Sequence, residues 1–474
     1  MRTGVTLCLA LLTAGLSGCQ LGAVRPHRPP ENPTALRYNV TYERDPEHAL
    51  EVEVVLSNGQ PRDFLFTQDG GVKTVWAYLE SGEAIELPVE SSGIELPKGT
   101  RFLRYRFELD AMVRRRGAGF FTGMPQGDAR LITGRTWLIR PRVAKRDMRV
   151  ELSVQGVNAL LPWRRGPGGM YQLRGDDLVD SGFHGFGGRR CEVVLPEAVL
   201  QVGILGDMTY MKDAQLCEWL RRTANEVRTV RRPFPYPRVT VLIYPVPRRT
   251  TADVFGMVMW SSPPSIALMV GQDAEPSSFK DDWVAIHELL HLVHPPFSPP
   301  AQTRWITEGL ATYYSELARA RSGRFTPEKA WSEMLRGFEI GKREAYGRTT
   351  REMINENAPP GIYWVGAFLA LRLDVELRRA TGNQRGLEDV LELLATQQST
   401  TTMKGYSAAV DAVAGRPLFD ALLERELQEP AFAGLGGLLE ELGVVATPGG
   451  VKLREAQDSR VREALHGLRA SSAQ

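Results

Sequence analysis

Between residues 36 and 195, apolar and polar side chains alternate in short runs. Leu50-Glu51-Val52-Glu53-Val54-Val55-Leu56, Phe102-Leu103-Arg104-Tyr105-Arg106-Phe107-Glu108-Leu109 and Met148-Arg149-Val150-Glu151-Leu152-Ser153-Val154 are three of them. A repeat of two places every second side chain on one face, which is the pattern of a half-buried strand and not of a helix. Turn-forming clusters interrupt the runs, among them Ser57-Asn58-Gly59, Gln68-Asp69-Gly70-Gly71 and Gly166-Pro167-Gly168-Gly169. Many short strands at this spacing predict an antiparallel β-sandwich. No catalytic grouping stands out in this half. The glycine-rich stretch Gly182-Phe183-His184-Gly185-Phe186-Gly187-Gly188 runs into Arg189-Arg190 and then an apolar run. A phosphate-binding loop would follow a strand and open a helix. This one is expected to be a loop or hinge, with His184 at the surface or in packing.

Beyond residue 196 the period changes. Residues 239–244 and 265–270 are strand-like, and 213–230 is helix-like. Trp283, Val284, Ile286, Leu289, Leu290, Leu292 and Val293 are apolar nearly all round, so their helix is expected to be buried. Asp281 and Asp282 suit its positive N-terminal end, and Pro295 and Pro296 stop it. Further helices are expected over about 303–321, 326–342 and 363–381. From about 416 the chain reads as helices, then Gly449-Gly450 and a charged end with no clear pattern, expected to fray. The fold class is therefore α+β with several domains. A sandwich over 36–195 precedes a mostly helical domain with a small sheet over 196–415 and a helical segment over 416–474.

The N-terminus reads as a targeting segment. Arg2 precedes an apolar run from Val5 to Ala14, about half the length a membrane-spanning helix needs. The run ends in Leu16-Ser17-Gly18-Cys19, which resembles a bacterial lipobox. The resemblance implies a signal peptide over 1–18, lipid on Cys19, and a mature chain tethered outside the cytoplasm through a proline-rich spacer over 19–35. An outer membrane is the expected location in a Gram-negative cell. Of four cysteines, Cys191 and Cys217 remain. In an oxidising compartment they form either a disulfide or two buried thiols. With 474 residues, 43% hydrophobic content and a net charge of +2, the chain is an ordinary globular protein. Arg114-Arg115-Arg116 and Arg221-Arg222 are too short to mark a nucleic-acid surface.

His287-Glu288-Leu289-Leu290-His291 carries the chemistry. Helical residues four apart differ by about 40° and about 6 Å, so both imidazoles can reach one ion. Glu288 lies about 100° round from His287, where its carboxylate can act as a general base without binding the ion. Zinc in hydrolases takes three protein ligands and keeps one position for water. The candidates for the third are Glu308 and His294. His294 lies about 10 Å further along a regular helix, beyond the span of one tetrahedral site, so Glu308 on a second helix is the expected ligand. Gly309 would let the two helices approach closely.

Trp305-Ile306-Thr307-Glu308-Gly309 resembles the Trp-x-x-Glu-Gly segment of the gluzincin metallopeptidases, which carry HExxH on one helix and the third ligand on the next. The stretch from Tyr363-Trp364-Val365-Gly366 to Ala380-Thr381-Gly382 is similar to the glycyl-aminopeptidase family, as is Leu387-Glu388-Asp389-Val390-Leu391. The resemblance covers about 240–445 and implies a thermolysin-like catalytic domain with one Zn2+ and peptide or protein substrates. It aligns Tyr363 with the tyrosine that donates to the tetrahedral oxyanion. Two departures stand out. After about 445 there is no room for that family's PDZ domain. Gly256-Met257-Val258-Met259 matches a segment in which aminopeptidases place a glutamate for the substrate's free amine, and a thioether cannot pair with an ammonium.

The expected activity is zinc-dependent peptide hydrolysis. His287, His291 and Glu308 would hold the ion, Glu288 would act as base and Tyr363 as oxyanion donor. The strand around 265–270 would pair with substrate by edge addition. The Met259 departure leaves three alternatives: an endopeptidase, a hydrolase of other bonds, or a scaffold lipoprotein that keeps the peptidase fold without turnover.

Overall fold

The computed structural model describes residues 34–44, 48–57, 62–65, 71–89, 93–396 and 400–467. The lipobox and tether lie outside these residues. The chain groups into two compact units. Among the described residues, one holds 34–218 together with 236–281, and the other holds 219–235 together with 282–467.

The first unit is built on an eight-stranded sheet. Its strand Ala49–Leu56 buries Leu50, Val52 and Val54 and turns Glu51 and Glu53 outward, as the alternation predicts. Pairing is antiparallel except between Thr34–Glu43 and Arg149–Gln155, which run parallel. This departs from an all-antiparallel sandwich. A three-stranded and a four-stranded sheet lie alongside, and one apolar cluster joins all three through Val52, Phe64, Ile94, Trp137 and Phe186. The glycine-rich stretch is not a loop throughout. Phe183–Phe186 is a buried strand of the four-stranded sheet: its two phenylalanines are apolar, Gly185 is small, and the one polar side chain, His184, is buried with partners for both ring nitrogens. His184 is wholly buried, accepting from Trp137 Nε1 at 3.0 Å with its other ring nitrogen on Ser181 O at 2.9 Å.

The same unit contains a five-stranded mixed sheet that the sequence reading joined to the catalytic part. Its order is Arg189–Val194, Val199–Ile204, Arg238–Val246, Ser265–Gly271, Phe255–Met259. Ser265–Gly271 is therefore an interior strand and has no free edge to offer. Its run Ile266-Ala267-Leu268 is buried on both faces, the mark of a central strand. The outer strand on that side is Phe255–Met259, antiparallel to it. A disulfide joins Cys191, in the opposite edge strand, to Cys217.

The second unit is mostly helical. The motif helix is Val284–Leu290, shorter than expected. His291–Val293 continues it as a 3-10 turn, and His294 is extended because it precedes Pro295. Asp282 accepts from Ala285 N at 3.1 Å and from Trp219 Nε1 at 3.1 Å, which anchors the start of the helix. Pro300–Arg321 and Gly361–Ala380 are long helices that cross at Gly309 and Gly366. A Cβ on Gly309 would fall 2.6 Å from the Gly366 Cα, so the two backbones touch. The C-terminal residues do not fray as far as 467. Val444–Thr447 and Gly450–Leu453 form a hairpin, and Ser459–His466 is a helix that buries Val461 and Leu465. Among the described residues no helix is long and apolar enough to cross a membrane.

Candidate metal centre

Three elements of the helical unit bring the predicted residues together. The motif helix supplies His287 and Glu288, the 3-10 turn supplies His291, and Pro300–Arg321 supplies Glu308. Their potential ligand atoms all lie within 4.8 Å of one another. Oε2 of Glu308 is 3.2 Å from His287 Nε2 and 3.4 Å from His291 Nε2. Bonds of about 2.0–2.1 Å at tetrahedral angles place zinc ligands about 3.3–3.4 Å apart. The donor set and its spacing thus fit a metal ion.

Packing fixes the ring orientations. Trp283 stacks on His287 with centroids 4.3 Å apart, and the two imidazoles meet edge to face at 4.8 Å. His294 turns away: its Nδ1 is 2.8 Å from Pro295 O and its ring packs on Phe297. Burial pushes its pKa down to about 3. It belongs to the packing behind the site and is not in the donor cluster, because the extended backbone before Pro295 carries it out of line.

The charges suit ligation. Burial lowers His287 to about 4, against the pull of Glu308, which keeps that imidazole neutral at ordinary pH. Burial is the largest influence on His291 and acts downward, yet the Glu308 carboxylate and the charge of Glu288 together outweigh it and raise that pKa. For Glu308 burial acts upward, but the two imidazoles hold the carboxyl well below the usual carboxylate range. Glu288 is buried, and its charge is felt at both His291 and Tyr363. Tyr363 sits in the first turn of Gly361–Ala380, its ring 5.8 Å from that of His287. Burial, and then the charge of Glu308, raise its pKa, so the hydroxyl stays protonated. Met259, half-buried in the outer strand, belongs to the other unit.

One residue of this site was missed. Arg304, one turn before Glu308, places Nε 3.6 Å from Glu308 Oε1 and its guanidinium carbon 5.9 Å from the centre of the Tyr363 ring. The four-residue spacing of Arg304 and Glu308 was the available signal.

The fold has likenesses among solved structures. It matches an aminopeptidase N family protein from Idiomarina loihiensis with a TM-score of 0.65 and 15% identity, over 86% of this chain and 78% of that one. Native yeast LTA4 hydrolase matches with a TM-score of 0.50 and 10% identity, over 88% of this chain and 74% of that one. Likeness at such identities concerns the fold alone. No family model and no curated protein matches the sequence.

Proposed function

We propose that the protein is a zinc-dependent peptidase, held by lipid on Cys19 at the extracytoplasmic face of a bacterial envelope. The observation that carries this reading is the approach of the Glu308 carboxylate to both imidazoles at 3.2 and 3.4 Å. His287, His291 and Glu308 would hold the ion. When bound, zinc supplies Lewis acidity to a scissile carbonyl and makes a nearby water more acidic. Glu288 takes the proton of the attacking water and returns it to the leaving amine. The Tyr363 hydroxyl, kept protonated by burial, donates to the oxyanion as it forms. Glu288 and Tyr363 both lie outside the donor cluster, as these roles require.

Met259 favours endopeptidase action over aminopeptidase action. It stands in the outer strand, where the family resemblance expects a glutamate for the free amine, and a thioether leaves an ammonium unpaired. Metal content of the purified protein, followed by cleavage of a mixed peptide library with and without chelator, tests the whole reading. Free and acetylated N-termini in that library separate the two modes. We expect one zinc per chain, chelator-sensitive cleavage and no preference for a free amine. Glu288→Gln is expected to keep the zinc and lose nearly all turnover. Full activity in that variant removes Glu288 from the role of base, and a metal-bound chain that cleaves nothing favours the scaffold alternative.

A further inference from the structure

Glu308 has two oxygens, and the structure gives them different surroundings. Oε2 faces His287 and His291, and Oε1 faces Arg304 Nε at 3.6 Å. Arg304 reaches two further groups. Its Nη1 lies 3.4 Å from Asn357 O, at the end of the helix Thr350–Glu356, and its guanidinium lies beside the Tyr363 ring. One side chain therefore touches the Glu308 helix, the segment leading into the Tyr363 helix, and Tyr363 itself. We propose that Arg304 is the positioning residue that makes Glu308 a one-oxygen metal ligand and sets Tyr363 against it. This rests on the proposed zinc site.

A plain helix-stabilising ion pair accounts poorly for the arrangement. In pairs four apart, arginine before glutamate is the weaker order, and exposed pairs contribute about 1 kcal/mol or less. Here both side chains are largely sheltered, with 20% and 17% of their surface exposed. The carboxylate involved is the one that meets both imidazoles. A carboxylate free to rotate would present either oxygen, or both, to the ion. Occupying Oε1 with a cation removes that freedom before the ion arrives, and groups that orient metal ligands are typically worth about 10–100-fold in affinity or activity. Arginine suits the task better than lysine. Its planar fork carries nitrogens in fixed directions and meets Oε1 and the Asn357 carbonyl at once, whereas an ammonium is a single point on a flexible stem.

The test compares the unmodified chain with Arg304→Met and Arg304→Ala. Zinc affinity is measured by competition with a chromophoric chelator, and kcat and KM on a peptide the unmodified chain cleaves. Both variants are expected to bind zinc at least about tenfold more weakly. They should lose kcat with little change in KM, and melt in the metal-free form where the unmodified chain does. Millimolar guanidinium chloride, but not sodium chloride, should recover zinc affinity and kcat in Arg304→Ala. Unchanged zinc affinity overturns the inference. So does a loss that guanidinium leaves in place while the metal-free protein melts lower, since that marks a merely structural role. An unmodified chain that binds no zinc overturns the proposed function and this inference with it.

Discussion

The contact between Gly309 and Gly366 makes Gly309→Ala the most decisive change in the helical unit. Considered as a helix position alone, alanine in place of glycine stabilises by about 1 kcal/mol. The structure reverses the sign. The new Cβ would lie 2.6 Å from both the Cα and the carbonyl oxygen of Gly366, where ordinary contact begins at 3.4 Å. Those atoms are backbone, so no rotamer change relieves the clash. The helices Pro300–Arg321 and Gly361–Ala380 must part by roughly 1 Å, and a gap of that size forfeits a quarter to a half of each facing dispersion contact. Overpacking of this kind costs about 1–3 kcal/mol, and immovable neighbours place it at the upper end. After subtracting the helix gain, the net destabilisation is about 2 kcal/mol. That corresponds to a fall of roughly 4–8 °C in melting temperature for a unit of this size. The site moves too, since Glu308 adjoins Gly309 and Tyr363 is on the other helix. A displacement near 1 Å can cost about 100-fold in rate. The measurement is a thermal melt of the metal-free protein followed by circular dichroism. Gly437→Ala is the control: that residue lies in the helix Leu435–Glu441 with nothing within 4 Å of an added Cβ, and should gain up to about 1 kcal/mol. A Gly309→Ala protein as stable as the control variant would refute the backbone contact.

Tyr363→Phe removes the hydroxyl and keeps the ring, so kcat is expected to fall by about 100- to 1,000-fold with KM little changed; an unchanged kcat excludes the hydroxyl from oxyanion stabilisation. Arg321 pairs with Glu388, which also meets Arg378 at 3.1 Å, and Arg378 meets Asp374 at 3.0 Å, all in the buried interior. Arg321→Met leaves Glu388 short of one guanidinium and should cost about 3–5 kcal/mol by urea unfolding, and an unmoved midpoint would sink that estimate. His184 accepts at Nδ1 from Trp137, so protonation there must break a buried hydrogen bond, and burial lowers its pKa from 6.5 to about 3. Below pH 6.5 the unfolded chain takes a proton that the folded chain refuses. Stability is therefore lost as pH falls from 6.5 toward 3, by about 2 kcal/mol at pH 5. The His184 ring resonances should stay still between pH 8 and 5, and a titration midpoint in that range would contradict the assignment.

The clustering of His287, His291 and Glu308 was legible because metal chemistry constrains spacing along one helix and leaves a short signature on the next. His287 and His291 converge even though the α-helix ends at Leu290, since a 3-10 turn advances a residue by only a little more than an α-turn. Long-range pairing was less legible. The alternation in Thr34–Glu43 identifies a strand, but nothing in its own residues says that Arg149–Gln155 lies parallel to it. The interior place of Ser265–Gly271 did have a signal, because an unbroken apolar run suits a strand covered on both faces. The C-terminal hairpin also had one, in the turn Thr447-Pro448-Gly449-Gly450 between two short alternating segments. Charged residues were the hardest. Taken singly, Arg321, Asp374, Arg378 and Glu388 would each be expected to face solvent, since charges are almost never buried alone. They are buried together, from three helices, and each is tolerable inside only because the others are there. The environment of a charge is set by partners far along the chain, so the two features that hold Glu308 and Tyr363 in place were visible only in part. Gly309 was readable as a site of close approach, but its partner Gly366 and the tie through Arg304 required the fold.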